Sequence, residues 1–235
     1  MKDMNHTLSA KIVISGYGKM GKMVEQVLRQ KGIECLAKTD DVAAIDDALA
    51  RDAICIDFTT PAAFRKNYPL LARKFKAVVV GTTGWYDIKS DVFQAFAKAG
   101  TTLIWASNFS VGVNVMTAAV RLMSSLLGQT GGYSPYVVEK HHIHKLDAPS
   151  GTAKTLCENV KAAMGVEPAV SSVRVGEIPG IHTVGFEGLN DRLTIEHEAF
   201  SREGFAQGAV LAAAMTQEVE PGSVHEFQEL FMSRR

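Results

Sequence analysis

The apolar run Lys11-Ile-Val-Ile-Ser15 leads straight into Gly16-Tyr17-Gly18-Lys19-Met20-Gly21, and a helix-length stretch follows from Met20 to Gln30, closed by Gly32. Strand, G-x-G-x-x-G and helix in that order narrow the choice of fold more than any other feature of the chain. Gly16 permits a tight turn, Gly18 lets the backbone approach a pyrophosphate, and Gly21 allows the helix to pack closely on the strand. The amides of the helix start then face the phosphates. Asp40 lies 19 residues past Gly21 (40 − 21), at the end of a second strand, Ile33 to Thr39, where a carboxylate meets a ribose 2′-hydroxyl. A glycine-rich structural turn is the plainer alternative; strand, glycines, helix and acid together favour a dinucleotide. Lys19 and Lys38 fall toward the ribose end, each able to pair with a 2′-phosphate or to stand as a solvated surface lysine, so NADH and NADPH both stay open.

The alternation continues as far as Ala106. Ala53 to Phe58 reads as a third strand, Thr60-Pro61 as a cap and first helical residue of a helix running to about Lys74, and Ala77 to Val80 as a fourth strand. A helix from about Asp87 to Ala99, stopped at Gly100, precedes a fifth strand, Thr102 to Ala106. Short apolar strands separated by helices predict an α/β fold, a Rossmann-like doubly wound parallel sheet. The turns Gly81-Thr82-Thr83-Gly84 and Ala106-Ser107-Asn108-Phe109 fall at its carboxyl edge, where ligands bind. With Gly16, Tyr17, Gly18, Lys19, Met20, Gly21 and Asp40 they form the expected cofactor site.

Beyond Phe109 the pattern changes. Val113 to Leu127 reads as a helix ended by Gly128, and extended segments follow at Tyr136 to Glu139, Val170 to Val175, His182 to Phe186 and Arg192 to Ala199. In the last of these Leu193, Ile195, His197 and Ala199 alternate with Arg192, Thr194, Glu196 and Glu198, as in a half-solvated sheet. The expected organisation is residues 1–108 plus about 208–235 as the nucleotide domain and 109–207 as an α+β substrate and oligomerisation domain. The helical stretch Phe205 to Gln217 and the amphipathic Val224 to Phe231 are expected to pack back on the first domain.

Glu139-Lys-His141-His142-Ile-His144-Lys145-Leu-Asp147-Ala-Pro-Ser150-Gly151-Thr152 is dense in imidazoles and ammonium groups just before a predicted helix, Thr152 to Met164. Like charges this close call for a compensating anion or solvent. A metal site is disfavoured, since no Cys or acidic partner stands at a recognised spacing and the lysines oppose a cation. A solvated charged loop is the bland reading. The Pro-Ser-Gly-Thr turn tips the balance, because its hydroxyls and free helix-start amides can hold a carboxylate.

Lys plus Arg and Asp plus Glu both number 25, so no broad polyanion-binding face is advertised and nucleic acid is not an expected partner. The opening residues are short and polar and the apolar stretch Ile12 to Ile14 is far too brief for a membrane span, so a cytoplasmic protein without a membrane partner is expected. Cys35, Cys55 and Cys157 are widely spaced and read as reduced structural thiols.

Taken together, Gly16 to Gly21, Asp57-Phe58-Thr59, Gly81 to Gly84, Ser107-Asn-Phe-Ser-Val-Gly-Val-Asn114, the run His141 to Thr152, Arg174-Val-Gly-Glu-Ile-Pro-Gly180, His182-Thr-Val and Ser201-Arg202 resemble the 4-hydroxy-tetrahydrodipicolinate (dihydrodipicolinate) reductase family over nearly the whole chain. The resemblance implies a nucleotide domain and a substrate and tetramerisation domain. It also implies NADH or NADPH as reductant, a cyclic dicarboxylate as substrate and a homotetramer. It gives His141 as proton donor or acceptor and Lys145 as a second proton donor. His142, Gly151 and Thr152 take substrate-binding positions, to which the residues themselves add Ser150 and Thr83. Some members carry an extra residue in the glycine loop and arginine in place of Lys19, so the resemblance leaves the choice of cofactor open. Two other functions share the scaffold: a dinucleotide-binding sensor without turnover, and an amino-acid or 2-keto-acid dehydrogenase with a differently shaped anion pocket.

Overall fold

The computed structural model describes residues 10–233; the opening segment, Met1 to Ser9, lies outside them. In chain order the elements are β1 (Lys11–Ser15), α1 (Lys19–Gln30), β2 (Cys35–Thr39), α2 (Asp47–Arg51), β3 (Ala53–Asp57), α3 (Pro61–Lys74), β4 (Ala77–Val80), α4 (Lys89–Ala99) and β5 (Thr102–Trp105). They continue with α5 (Val111–Thr130), β6 (Ser134–His141), α6 (Gly151–Met164), β7 (Ala169–Arg174), β8 (Ile181–Glu187), β9 (Arg192–Glu198), α7 (Glu203–Met215), β10 (Val224–Glu226) and α8 (Phe227–Ser233). Two compact units result: the residues up to Ser110 together with those from Glu203 onward, and Val111–Arg202 between them.

In the first unit six strands pair in the order β10-β5-β4-β3-β1-β2, every pair parallel. The expected Rossmann-like sheet is therefore present. Strands β3 and β4 are buried along their whole length, as a sheet covered on both faces requires. Helices α1 and α7 pack together, α7 also lying on β3 and β4, while α3 packs on α4. Val13, Cys55, Phe64, Val78, Trp85, Phe96 and Leu103 form one core, each large apolar side chain contributing about 1.5–3 kcal/mol by leaving water. The Thr60 hydroxyl accepts from the Ala63 amide (3.2 Å) with Pro61 next to it, and Gly100 ends α4 at φ +68°, the stop and start signals expected there. The stretch Val224 to Phe231 splits differently from expectation: three residues become the edge strand β10 before the helix begins.

The chain passes from β1 to β2 on one side and then to β3 on the other side of β1, which places a topological switch between β1 and β3. At the carboxyl edge the ladder runs past the strands. The Gly16 amide donates to Thr39 O, Phe58 to Ser15 O, Gly81 to Asp57 O and Ala106 to Val80 O, at 2.8–3.2 Å. The turns after β2, β1, β3, β4 and β5 thus stand side by side, roughly 19 Å across at about 4.8 Å per strand spacing.

The second unit is a mixed four-stranded sheet, order β7-β6-β8-β9, with β6 and β7 parallel and the other pairs antiparallel. Strand β6, helix α6 and strand β7 form a βαβ unit, and α5 and α6 cover one face. Met116, Val120, Val137, Leu156, Val160, Val184 and Phe186 fill the space between. By length and composition α5 is apolar enough to cross a membrane, but Met116 and Val120 on it belong to this core and α6 packs along it. Gly128 does not end that helix, which runs on to Thr130. A Cβ at Gly128 would meet Ala163 O at 3.1 Å and Met164 Cα at 3.3 Å, so this glycine serves the close approach of α5 to α6. All three cysteines are free, Cys55 and Cys157 buried and Cys35 half-buried.

Candidate functional site

In the first unit the glycine turn is shaped by what a side chain would strike. Gly16 has φ +87°, and a Cβ there would run into the Phe58 carbonyl and the Thr59 amide, so glycine lets the β1 and β3 turns touch at the switch point. A Cβ on Gly21 would enter the Gly16 carbonyl. Gly18 faces open space and caps α1 without a side-chain hydrogen bond, so neither a Cβ nor a capping side chain screens the helix start from an anion. Asp40 Oδ1 accepts from the Tyr17 amide at 3.0 Å, holding the acid against the glycine turn. Lys38 pairs with Glu25 at 2.7 Å, and the Tyr17 hydroxyl bonds the same carboxylate.

Along the same edge Asp57 is fully buried and accepts from Ser15 Oγ (2.7 Å), Thr82 Oγ1 (2.5 Å) and Thr59 Oγ1 (3.0 Å). Burial pushes its carboxyl above the usual range against those hydrogen bonds. Thr82 also accepts from the Thr59 amide (2.8 Å), so its hydroxyl ties two turns together and leaves Thr83, which is exposed, as the outward threonine. Asn108 Oδ1 caps the Ser110 amide (2.8 Å). Phe109 is buried against Phe58 and Phe227, ring centroids 6.3 and 5.1 Å away, so its ring packs the core while its backbone stays at the edge with Ala106 and Ser107.

The second unit repeats the arrangement of strand end and helix start. His141 is the last residue of β6 and points into the unit; it is strand, not loop as the sequence suggested. Its Nδ1 contacts Glu139 Oε2, two residues earlier on the same face. The turn that follows is tied down by backbone bonds from His142 to Ile178 O (2.8 Å), Ile143 to Gly176 O (3.2 Å) and Lys145 to His142 O (3.1 Å). Lys145 Nζ pairs with Asp147 Oδ1 at 2.7 Å and stays about a quarter exposed. Ser150 caps α6, accepting from the Ala153 amide at 3.2 Å and bonding His182 Nε2 at 3.0 Å, with Gly151 and Thr152 as the first helical residues. Exposed His144 lies 3.5 Å from Glu177, its ring 6.1 Å from that of His142. Buried His142 Nδ1 and His182 Nδ1 have no hydrogen-bond partner among the described residues, so the site holds polar atoms that protein alone does not satisfy.

The model described as "Dihydrodipicolinate reductase, N-terminus" matches residues 10–109, and its C-terminus counterpart matches 112–231. The chain belongs to the dihydrodipicolinate reductase family. A relative from Christiangramia forsetii, named 4-hydroxy-tetrahydrodipicolinate reductase, is 35% identical over 215 residues, 86% of this chain and 90% of the relative. One of the same name from Desulfovibrio desulfuricans is 32% identical over 260 residues, 95% and 99% of the two chains. A solved dihydrodipicolinate reductase from Paenisporosarcina sp. TG-14, with dipicolinate bound, superposes with a TM-score of 0.76 at 19% identity. It covers 92% of this chain and 97% of its own, which shows the fold.

Within this family member, three residues of the second unit that the sequence reading quoted only as parts of motifs, without a role, stand at the site: Glu139, Arg174 and His182. Arg174 Nη1 and Nη2 donate to Glu139 Oε2 (3.0 Å) and Oε1 (2.7 Å), and the Ser150 amide donates to Oε1 (3.3 Å). Burial alone would raise Glu139, but hydrogen bonds from Arg174, Ser172 and His141 outweigh it and hold its carboxyl at about 2. An acidic partner for the histidines therefore exists, contrary to the sequence reading. Ligand atoms of Glu139, His141 and His182 lie within 4.8 Å of one another, near enough to share a metal ion. Arg174 already engages both Glu139 oxygens, so a cation there would face a fixed guanidinium.

Burial and the neighbouring His141, His197 and Lys145 push His182 down to about 4. Both His182 and Glu139 bind protons more tightly in the unfolded chain. Their stabilisation is complete above the unfolded values and is lost on acidification, between about 6.5 and 4 for His182 and between about 4.5 and 2 for Glu139. The Tm is expected to fall steadily from pH 6.5 to 4, and His182→Asn to flatten that slope. Calorimetry giving the same slope in both proteins would rule His182 out as its source.

Proposed function

We propose that this chain is an NAD(P)H-dependent 4-hydroxy-tetrahydrodipicolinate reductase, an oxidoreductase of the diaminopimelate route to lysine. The observation that carries this is the joint presence of His141, Lys145 and the start of α6 at one strand end, in a chain matched by the family over residues 10–109 and 112–231. In the reaction one hydride and one proton enter the ring and, from the 4-hydroxy form, one water leaves. The nicotinamide supplies the hydride when bound.

The residues fit a dinucleotide: an unobstructed helix start at Gly18, an acid at Asp40 and a row of turns along the sheet edge. In this reading Gly16 to Gly21 hold the pyrophosphate and Asp40 the ribose, while Gly81 to Thr83 and Ala106 to Phe109 line the nicotinamide half. One substrate carboxylate lies at the start of α6, on Gly151 and Thr152 beside the Ser150 cap, with His142 at its margin. Lys145 exchanges Asp147 for the second carboxylate and offsets charge that builds on the ring. Hydride addition to a carbon conjugated with the imine leaves enamine-like density at the neighbouring carbon, and the His141 imidazole delivers the proton there.

The finer reading includes a cytoplasmic homotetramer. Val170, Val173 and Leu193, exposed on the edge strands of the second unit, support association, and light scattering in solution measures it.

The direct test follows NADH and NADPH absorbance separately with substrate freshly made from aspartate semialdehyde and pyruvate. Steady turnover is expected. Tight nucleotide binding without turnover would instead favour a sensor. Asp40→Ala is expected to weaken NADH more than NADPH by about 10- to 100-fold, since a hydrogen bond to a charged group contributes about 1.5–3 kcal/mol. Titration giving an unchanged ratio of the two dissociation constants would remove Asp40 from the ribose site.

A further inference from the structure

We infer that Glu139, held by Arg174, is a positioning residue that fixes the tautomer and direction of the His141 imidazole and ties it to both anion-binding elements of the site. The inference rests on the proposed reductase activity for its role, but not for its geometry.

Three observations carry it. First, the Glu139 side chain is fully buried and bonded on both oxygens: to His141 Nδ1, to two guanidinium nitrogens of Arg174 (3.0 and 2.7 Å) and to the Ser150 amide (3.3 Å). A carboxylate gripped bidentately by a guanidinium is ionised and can only accept. The imidazole nitrogen beside it must therefore carry its hydrogen, which leaves Nε2 as the nitrogen that gains and loses a proton.

Second, Nε2 meets a surface built without a side chain. A Cβ at Gly180 would sit 3.0 Å from His141 Nε2 and 3.3 Å from Cδ2, so the missing side chain keeps that edge of the ring clear.

Third, Arg174 reaches beyond the carboxylate. It lies opposite His141 in the parallel pairing of β6 and β7, and it donates to Lys145 O (3.3 Å) and Asp147 O (2.6 Å). One ion pair, its carboxylate fully buried and its guanidinium partly exposed, thus joins the imidazole, the turn that presents Lys145 and the cap of α6.

Breaking such a pair leaves a charge without its partner, whereas a well-packed apolar pair would hold the fold as well. Its retention beside an imidazole is explained by what it does to the ring. As the proton leaves Nε2, the Nδ1 hydrogen stays on the side of Glu139, so the ring keeps one orientation and one tautomer through the cycle. The charged or titratable groups facing His141 are Glu139 on its own strand, Arg174 from β7, His182 from β8 and Lys145 from the following turn. Without the Glu139 charge the cations among them act unopposed on the imidazolium.

The test compares wild type, Glu139→Gln and Glu139→Asp by steady-state kinetics across pH, and reads His141 by ¹⁵N NMR of histidine-labelled protein, its signals assigned by their loss in His141→Ala. Glu139→Gln is expected to lower kcat about 10- to 100-fold, the range for losing the carboxylate that orients a functional histidine. It is also expected to move the alkaline limb of activity to lower pH, with NADH affinity unchanged and the limb partly restored in Glu139→Asp. Neutral wild-type His141 is expected to carry its hydrogen on Nδ1. Wild-type kcat and an unmoved limb in Glu139→Gln would overturn the inference, as would a hydrogen on Nε2 of the neutral ring. If Glu139→Gln does not fold, the wild-type tautomer decides alone. If the wild type shows no turnover, the proposed activity fails, and the tautomer still decides the geometry.

Discussion

Replacing His141 with alanine is expected to lower kcat by about 10²- to 10⁴-fold, the contribution of a positioned general acid, while NADH affinity stays at the wild-type value. The separation follows from the architecture. His141 ends β6 in the Val111–Arg202 unit, whereas the glycine turn and Asp40 belong to the other unit. The substitution also removes one hydrogen bond from buried Glu139, at a cost of about 1–3 kcal/mol, so activity is to be measured well below the melting temperature. An equal loss of NADH binding, or a kcat within a few-fold of wild type, would take the proton-transfer role away from His141.

The second large effect is expected at Lys145. Its ammonium is paired with Asp147 yet partly exposed, so a substrate carboxylate can take Asp147's place without a buried charge ever standing alone. Lys145→Ala is expected to reduce kcat/KM by about 10²- to 10³-fold, the scale for losing one fixed donor at a site of developing charge. The loss should fall on both parameters: KM rises because a carboxylate loses its counter-ion, and kcat falls because charge on the ring is no longer offset. Should kcat/KM stay within a few-fold of wild type, Lys145 would be a surface ion pair only.

Much of the local geometry of this candidate site was legible in the sequence, for identifiable reasons. The glycine turn announces itself because each glycine answers a separate backbone demand, and Gly16 and Gly21 do abut backbone where a Cβ would stand. The start of α6 was readable because Ser150 and the glycine after it are a local capping signal. Glu139 was not read as part of the site. The expected strand stopped at that residue, which put His141 in a loop; extending it by two residues places both side chains on one face. Arg174 stands 35 residues away from Glu139 and reaches it only through the pairing of β6 with β7. Such register is a property of the folded sheet, and no local signal carries it. Gly128 misled because a glycine near a helix end resembles a stop, whereas here it relieves a contact with α6. Strand β10 is three residues long, too short for any periodicity to separate it from the helix that follows.

A crystal structure of the protein with NADH and pyridine-2,6-dicarboxylate bears most directly on the proposed site. The expected result places one carboxylate on the amides of Gly151 and Thr152 and the other at Lys145, with His141 Nε2 toward the ring and nicotinamide C4 about 3–3.5 Å from it. A dicarboxylate bound elsewhere, with His141 and Lys145 turned to bulk water and far from the nicotinamide, would contradict it.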